Sequence, residues 1–375
     1  MKKLFATLTA ALALSGSLTF ASAAKTVTID ASDSRITYVG RTLVESGSVG
    51  FDWSATRARI EFSGAELSLK AGCQRGTNYF NVWIDKAPQA EPDKVIKITG
   101  ESDDYAIVSA ADFASKKEAA QPHKVTIEKR TEGSQGKVTF FSFTAAGFSQ
   151  AEPLKERMLE FVGDSYTCGY GSENSLPTDR FTPETENTSK TYAAIISRYF
   201  DADYVTIAHS GLGVTRSYGG PVGRGTMITR YGKTFDEGQE DWDAASSDFK
   251  PAATVIYLGT NDFSVNLQPQ EKIFVRNYIN LLTQIKANYG EDHPIICVSS
   301  PQDSNMFDYV RRAVEDSGLK NVCQLGMFSG FQLGDEREFG ADYHPNYNAH
   351  RKLAYSMIPY IATATLWPLN DTPVK

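Results

Sequence analysis

One short motif in the chain has the residue types and the position that a serine nucleophile needs. Gly163-Asp164-Ser165 directly follows the apolar run Met158 to Val162, which predicts a buried strand. A turn at the carboxyl end of such a strand presents its side chains at the sheet edge, where the crevices of open α/β sheets form. A serine hydroxyl is inert at neutral pH unless a base removes its proton. The motif therefore predicts Ser165 as a nucleophile and requires a base elsewhere in the chain.

The chain offers five histidines as candidates for this base. His344, in Ala341-Asp342-Tyr343-His344-Pro345, precedes the last predicted helix, so its loop can fold back over the strand ends. We therefore predict His344 as the base. His209, at the end of the second predicted strand, is the alternative. The remaining three are interpreted as structural or solvated residues: His123, His293 and His350.

Attack by a serine creates an oxyanion, which needs several preorganised hydrogen-bond donors. Three groups that follow predicted strands can provide them: the backbone N–H of Ser165, the backbone N–H of Gly211 and the side-chain amide of Asn261. Gly211 lies in Ser210-Gly211-Leu212-Gly213, and Asn261 lies in Gly259-Thr260-Asn261-Asp262. Each motif alone is common in loops, so the prediction depends on their joint occurrence in this order.

The elements that must position these residues form an α/β pattern after about residue 157. Apolar strands alternate with helical periodicity, which predicts a parallel sheet with helices on both faces. The predicted strands are Met158 to Val162, Tyr204 to Ala208, Thr254 to Leu258, Ile295 to Ser299 and Val322 to Met327. The predicted helices are Thr191 to Phe200, Gln270 to Tyr289, Met306 to Ser317 and Tyr347 to Thr363.

The first part of the chain has a different pattern, with short strand-like runs and no strong amphipathic helix. These runs are Lys25 to Ile29, Ala58 to Phe62, Tyr79 to Ile84, Lys124 to Lys129 and Lys137 to Phe143. Their spacing predicts an all-β sandwich of the jelly-roll type. Gly133-Ser134-Gln135-Gly136 indicates a hairpin between the last two runs. We expect a signal peptide at 1–23, a β-sandwich at 24–148, a linker at 149–156 and the α/β domain at 157–375.

The ordered set Gly163-Asp164-Ser165, Gly211, Gly259-Thr260-Asn261-Asp262 and His344-Pro345 resembles the four blocks of the SGNH (GDSL-type) hydrolases. The longer string from Gly163 to Gly171, followed by Glu186-Asn187 and Thr191-Tyr192-Ala193, is similar to carbohydrate esterase family 2. Gly40-Arg41-Thr42, Phe51-Asp52-Trp53-Ser54 and Tyr79 to Asp85 resemble that family's N-terminal domain. The resemblance spans nearly the whole chain after residue 23 and implies a jelly roll joined to a three-layer, flavodoxin-like SGNH domain.

The resemblance also implies an activity, namely removal of acetyl groups from xylan, glucomannan or related sugars through an acyl-enzyme on Ser165. It implies no metal and no organic cofactor, and it makes Gly211 and Asn261 oxyanion donors. Many SGNH enzymes carry an orienting aspartate three residues before the histidine, but that position is Ala341 here. We therefore expect Asp342 to orient His344 and stabilise its imidazolium, with a backbone carbonyl as the alternative.

Substrate contacts are expected from aromatic rings, because sugars present apolar C–H faces. Four aromatic residues in loops of the α/β domain are candidates: Tyr166, Tyr170, Tyr231 and Trp242. Three further residues near the motifs are interpreted as structural. Asp164 caps nearby N–H groups, Asp262 orders the loop of Asn261, and Cys168 packs beside the nucleophile. The jelly roll is expected to wall the cleft or to bind glycan.

Composition limits the partners. The formal net charge is −7 with no basic run, which argues against nucleic acid. Lys2-Lys3, the apolar run Leu4 to Leu14 and Ala21-Ser22-Ala23 are typical of a signal peptide, so we expect a secreted or periplasmic protein without a membrane span. Four cysteines allow up to two disulfides or buried free thiols: Cys73, Cys168, Cys297 and Cys323.

Two alternative functions remain open. The first is an SGNH esterase acting on another ester, such as a peptidoglycan acetyl group, a lipid or a thioester. The second is a glycan-binding protein without catalysis. The stretch from Ser172 to Lys190 is polar and rich in Thr, Glu and Pro, which favours a hydrophilic substrate. The preferred polysaccharide, the hydroxyl that is deacetylated and the oligomeric state stay open.

Overall fold

The computed structural model describes residues 26–300, 303–327 and 336–370. These residues form two units, an N-terminal one rich in antiparallel strands and a C-terminal one around a parallel sheet. The expected signal peptide, 1–23, lies outside the described residues. Within the described part of the chain, no helix is both long and apolar enough to cross a membrane.

The N-terminal unit contains one ten-stranded hydrogen-bonded sheet. Its strands are β1 Val27–Asp30, β2 Thr37–Val39, β3 Leu43–Glu45, β4 Ser48–Phe51, β5 Arg57–Cys73, β6 Asn78–Ile84, β7 Lys94–Ile98, β8 Asp103–Val108, β9 Pro122–Lys129 and β10 Val138–Ser149. The two long strands β5 and β10 pair along most of their length, with two register shifts that bend the sheet around an aromatic and aliphatic core.

The expected hairpin at Gly133–Gly136 is wrong. β9 and β10 do not pair with each other, because β5 lies between them in the sheet. Residues 133–135 instead form one turn of 3₁₀ helix. The local turn signal was real, but the partner of each strand is a more distant segment of the chain.

The C-terminal unit is a five-stranded parallel sheet with strand order β12-β11-β13-β14-β15. The strands are β11 Met158–Gly163, β12 Asp203–Ala208, β13 Ala253–Tyr257, β14 Ile295–Ser299 and β15 Val322–Gly326. The helices are α1 Ser165–Cys168, α2 Tyr192–Tyr199, α3 Met227–Arg230, α4 Glu271–Tyr289, α5 Ser304–Ser317 and α6 Tyr347–Thr365. The predicted parallel α/β unit is confirmed.

Both faces of this sheet are covered, which explains why its strands read as continuous apolar runs. Side chains of α2 and α6 pack on one face, and side chains of α4 and α5 pack on the other. The first strand, β11, lies between β12 and β13, so the chain reverses its direction of winding there. In open α/β sheets, crevices form beside this reversal, and Ser165 lies directly after β11.

The two units share buried contacts. Trp53 of the N-terminal unit belongs to the core on one face of the parallel sheet, and Arg41 donates to the carbonyl of Lys233 at 2.9 Å. The hydroxyl groups of Ser54 and Thr206 form a hydrogen bond of 2.9 Å. These contacts fix the N-terminal unit against the unit that carries Ser165. All four cysteines are free, and all except Cys323 are buried.

Candidate active site

Ser165 is the first residue of the short helix α1 at the end of β11, and it is 6% exposed. Asp164 is the N-cap of this helix, and its carboxylate accepts from the backbone N–H of Tyr166. The preceding Gly163 has no room for a side chain, because an added Cβ would lie 2.0 Å from the Thr167 hydroxyl oxygen. The strand therefore turns sharply into the helix, and the serine hydroxyl lies at the edge of the sheet.

His344 meets this hydroxyl from the loop before α6. Its Nε2 lies 2.9 Å from Ser165 Oγ. Its Nδ1 lies 3.2 Å from the carbonyl oxygens of Ala341 and Asp342, which can only accept hydrogen bonds. We therefore assign the proton to Nδ1, which leaves the Nε2 lone pair facing the serine. Burial lowers the pKa of His344, although nearby carbonyls and carboxylates oppose that effect, so the neutral form is favoured.

The Asp342 carboxylate does not have the expected role. Its Oδ2 accepts from the Tyr170 hydroxyl at 2.8 Å, and the Asp342 atom that faces His344 Nδ1 is the backbone carbonyl oxygen. Asp342 and Tyr343 have left-handed backbone conformations, with φ of 51° and 60°. In this turn both carbonyl oxygens lie within hydrogen-bond distance of Nδ1, whereas the Asp342 carboxylate bonds to Tyr170. The structure thus matches the alternative, orientation by a backbone carbonyl.

We expect Asp342→Asn to lower kcat/KM by less than about tenfold, whereas the same change in a triad with a direct carboxylate contact costs about 10⁴ in kcat. Asparagine tolerates the left-handed conformation and leaves both carbonyls in place. The change removes a charge near the imidazole and weakens the hydrogen bond from the Tyr170 hydroxyl, which the amide oxygen can still accept. Steady-state hydrolysis of an aryl acetate measures the effect. A loss near 10⁴ would show that the carboxylate itself contacts His344 during turnover.

Two backbone donors lie in the loops that carry the predicted oxyanion groups. The Ser165 N–H is at the start of α1, where helices have no internal acceptor. The Gly211 N–H has no acceptor among the described residues, and its φ of 81° is a conformation that glycine adopts freely. The Asn261 amide donates to Asp164 Oδ2 at 3.0 Å and to the Leu212 carbonyl at 2.9 Å. Its hydrogens are therefore engaged, and it holds the serine loop and the Gly211 loop together.

Asp164 and Asp262 have the structural roles that we predicted. Burial raises the pKa of Asp164 to about 7, and its carboxylate accepts from Tyr166 N–H and Asn261. The Asp262 carboxylate accepts from the backbone N–H groups of Val214, Thr215 and Arg216. It thereby joins the loop of Asn261 to the loop after Gly211. Cys168 is buried, as expected for a packing residue.

The four aromatic candidates divide into two pairs. Tyr166 and Tyr170 are half-buried beside His344, with ring centroids 5.7 and 4.3 Å from the imidazole. Tyr231 is 0% exposed, and its hydroxyl donates to buried Glu160, so the expectation of a substrate contact is wrong. Trp242 lies 5.3 Å from the Arg41 guanidinium and lines a cavity between the two units. Neither Ser165 nor His344 is among the described residues that line this cavity, and a substrate contact at Trp242 stays a prediction.

The other histidines have partners away from the serine, as the structural interpretation predicted. His123 pairs with Asp85, and His293 contacts Thr254. His350 accepts from the Tyr192 N–H. Nδ1 of the alternative base, His209, lies 2.5 Å from Asp236 Oδ2.

Two residues near the site carried no signal in the sequence. Phe181 stacks on Tyr170 with ring centroids 4.0 Å apart. Glu132, from the N-terminal unit, accepts from the Ser210 N–H at 2.6 Å. No periodicity or motif links positions 132 and 210, because their contact depends on how the two units pack.

Among the described residues, one group could hold a metal ion, formed by Glu132, Cys168 and Glu186. Both Glu132 carboxylate oxygens already accept protein hydrogen bonds, from Ser210 N–H and the Ser134 hydroxyl. We therefore interpret the group as a hydrogen-bonded cluster.

Comparisons with known proteins match both units of the chain. Residues 38–153 match the carbohydrate esterase 2 N-terminal family, and residues 161–352 match the GDSL-like lipase/acylhydrolase family. A solved family-two carbohydrate esterase from Clostridium thermocellum, in complex with cellohexaose, is 30% identical with a TM-score of 0.76. The match covers 89% of this chain and 100% of that one. The chain belongs to carbohydrate esterase family 2.

Curated relatives agree with this assignment. The cellulase/esterase CelE of Acetivibrio thermocellus is 32% identical over 84% of this chain, which spans only 38% of that protein's length. An acetylxylan esterase/glucomannan deacetylase of Cellvibrio japonicus is 29% identical, over 86% of this chain and 89% of the relative. As a family 2 member with a GDSL-type hydrolase domain, the chain is a carboxylic ester hydrolase.

Proposed function

We propose that this family 2 esterase removes O-acetyl groups from polysaccharides such as xylan or glucomannan, with Ser165 as the nucleophile and His344 as the base. The observation that carries the proposal is the 2.9 Å contact between His344 Nε2 and Ser165 Oγ, with Nδ1 held by two carbonyl oxygens. A neutral imidazole in this orientation can accept the serine proton as the hydroxyl attacks.

The reaction then proceeds in two steps. Ser165 Oγ bonds to the acetyl carbon while its proton moves to His344 Nε2, and the N–H groups of Ser165 and Gly211 donate to the oxyanion. Collapse of this intermediate breaks the bond to the sugar oxygen, which takes the proton from His344. A water molecule then attacks the acetyl-enzyme by the same route and releases acetate. Asn261 joins the oxyanion donors only if one of its hydrogens leaves its present acceptor.

The substrate class is supported from two directions. The Cellvibrio japonicus relative is named for acetylxylan and glucomannan, and the Clostridium thermocellum structure holds a glucose oligosaccharide. In this chain, the Tyr170 and Phe181 rings stack next to His344. Aromatic faces of this kind suit the apolar C–H faces of sugars. We propose Tyr166 and Tyr170 as substrate contacts.

Acetate release from acetylated xylan, acetylated glucomannan and an aryl acetate tests the substrate class. We expect release from a polysaccharide at a kcat/KM at least as high as for the aryl acetate, because binding to remote sugar units can be used in the transition state. A butyrate aryl ester and an O-acetylated peptidoglycan are the matched comparisons. Preference for either of these would reject the proposed substrate while leaving the serine mechanism intact.

Three further features belong to the proposal. The protein is exported, as the signal-like segment at 1–23 suggests. The jelly-roll class of the N-terminal unit is supported by its all-β composition and bent long strands. Boundaries at 148 and 157 are supported by strand β10 ending at Ser149 and strand β11 beginning at Met158.

A further inference from the structure

The Glu132 side chain lies next to three separate segments of the chain, at Ser134, Cys168 and Ser210. Glu132 follows strand β9 in the N-terminal unit, and its side chain is buried, with the residue 4% exposed. One carboxylate oxygen accepts from the Ser210 N–H, and the other accepts from the Ser134 hydroxyl, both at 2.6 Å. The Cys168 sulfur lies within 4.8 Å of a Glu132 carboxylate oxygen. A buried group of the N-terminal unit thus bonds to the Ser210 loop of the hydrolase unit and lies close to the end of its helix α1.

Both of these segments carry proposed reactive groups. Ser210 directly precedes Gly211, so a hydrogen bond at the Ser210 N–H fixes the chain that orients the Gly211 N–H. Cys168 is the last residue of the four-residue helix α1, whose first residue is Ser165. Displacement of a catalytic group by about 1 Å can cost about 10² in rate, so the position of these segments matters for turnover.

The charge of Glu132 also acts on the pKa of His344. Among the described residues, the hydrogen-bond partners of the imidazole are two carbonyl oxygens and the Ser165 hydroxyl, and none is a carboxylate. The charges of Asp342 and Glu132 nevertheless raise the pKa of His344 against the larger effect of burial. The imidazolium that forms during attack therefore depends on negative charge that does not contact the ring.

Other titratable groups surround Glu132. The charge of Glu132 acts on the pKa of six of them, Lys129, Cys168, Tyr170, Glu186, His209 and His344. Burial and the charge of Glu132 raise the pKa of Glu186 well above its usual range, so Glu186 is a poor source of negative charge at neutral pH. The Lys129 ammonium is directed at the backbone carbonyls of Thr131 and Glu132.

We propose that Glu132 is a positioning residue of the esterase reaction. It holds the Ser210–Gly211 backbone in place for the oxyanion, and its buried negative charge favours the His344 imidazolium. The inference rests on the proposed function, because it assigns Glu132 a role through Gly211 and His344. It also gives the N-terminal unit a part in catalysis beyond forming a wall of the cleft.

Two variants separate the two effects of Glu132. Glu132→Gln keeps an oxygen that can accept from Ser210 N–H but removes the charge, whereas Glu132→Ala removes both. For Glu132→Ala on an aryl acetate, we expect kcat to fall about tenfold to a hundredfold with KM little changed, because the lost interaction acts in the transition state. For Glu132→Gln, we expect a smaller fall in kcat.

The pH profile distinguishes this role from a purely structural one. Turnover requires neutral His344, and removing a nearby negative charge lowers the pKa of its imidazolium. The acid limb of kcat/KM should therefore move to lower pH in Glu132→Gln. Loss of packing alone would reduce the fraction of folded protein, but the acid limb of kcat/KM would stay at its wild-type pH.

Glu128→Gln is the matched control. Glu128 lies in the same unit, is 1% exposed and also reaches the hydrolase unit, where it pairs with the hydroxyl groups of Ser189 and Tyr204. We expect this variant to lower the melting temperature while keeping the wild-type kcat and pH limb.

The outcomes decide between the hypotheses. The inference is overturned if both Glu132 variants keep the wild-type kcat and the wild-type acid limb of kcat/KM. It is also overturned if Glu128→Gln loses as much kcat as the Glu132 variants do. If the Ser165→Ala variant keeps the wild-type turnover, the proposed function fails and the inference fails with it.

Discussion

The Ser165→Ala variant is expected to lose ester hydrolysis, with kcat lower by about 10⁴ to 10⁶, while the protein remains folded. The change removes the atom that forms the acyl-enzyme and leaves His344 without a group to deprotonate. The lost side-chain contact is the one with His344 Nε2, and the first turn of α1 keeps its Asp164 cap. Acetate release, with circular dichroism and a thermal melt, measures both parts of the expectation.

Ser172→Ala is the control for this experiment. Ser172 is also buried, lies seven positions along the chain and donates its hydroxyl to the Asn187 carbonyl at 3.2 Å. The same chemical change there should leave kcat within a few-fold of the wild-type value, in the range of ordinary substitutions away from a site. A well-folded Ser165→Ala enzyme that releases acetate at the wild-type rate would contradict the nucleophile assignment.

The parallel sheet could be predicted from the sequence because its strands are buried on both faces. Residues such as those of Ile295–Ser299 form continuous apolar runs, and the amphipathic helices between them have clear periodicity. The antiparallel unit was harder to predict. Its short strands Thr37–Val39 and Leu43–Glu45 have too few residues for a pattern, and the 17-residue strand β5 pairs with four other strands.

The candidate site was predictable where a motif fixes the position of a side chain relative to a strand end, as for Ser165. It was not predictable where backbone conformation decides the contact. In the left-handed turn at Asp342 and Tyr343 a backbone carbonyl faces the imidazole while the carboxylate bonds to Tyr170, and neither residue type requires that conformation. Burial of Tyr231 was equally hidden, because an aromatic residue in a loop has the same sequence pattern in a core as on a sugar-binding surface.

Replacement of the base is the second change with a large expected effect. His344→Ala should lower kcat nearly as much as Ser165→Ala, because the two side chains act as one unit. For the same reason, the double variant should lose little more than Ser165→Ala alone. Single-turnover and steady-state hydrolysis of an aryl acetate by all three variants measure this non-additivity. Independent, additive losses would show that another group accepts the serine proton.

His123→Gln is the matched control, since His123 is also buried but pairs with Asp85 in the N-terminal unit. We expect wild-type kcat for this variant. His209→Gln tests the alternative base, which is held by Asp236. A loss in His209→Gln as large as in His344→Ala, with the folded state intact, would assign the proton transfer to His209.

The wild-type pH profile tests the same assignment without a substitution. Burial lowers the pKa of His344, so the neutral base persists to lower pH than in an exposed histidine. The acid limb of kcat/KM should therefore lie below about pH 6.5, the usual histidine value. Asp236 raises the pKa of His209, so a limb above that value would favour His209. The two candidate bases thus predict shifts of opposite sign, and one titration of activity separates them.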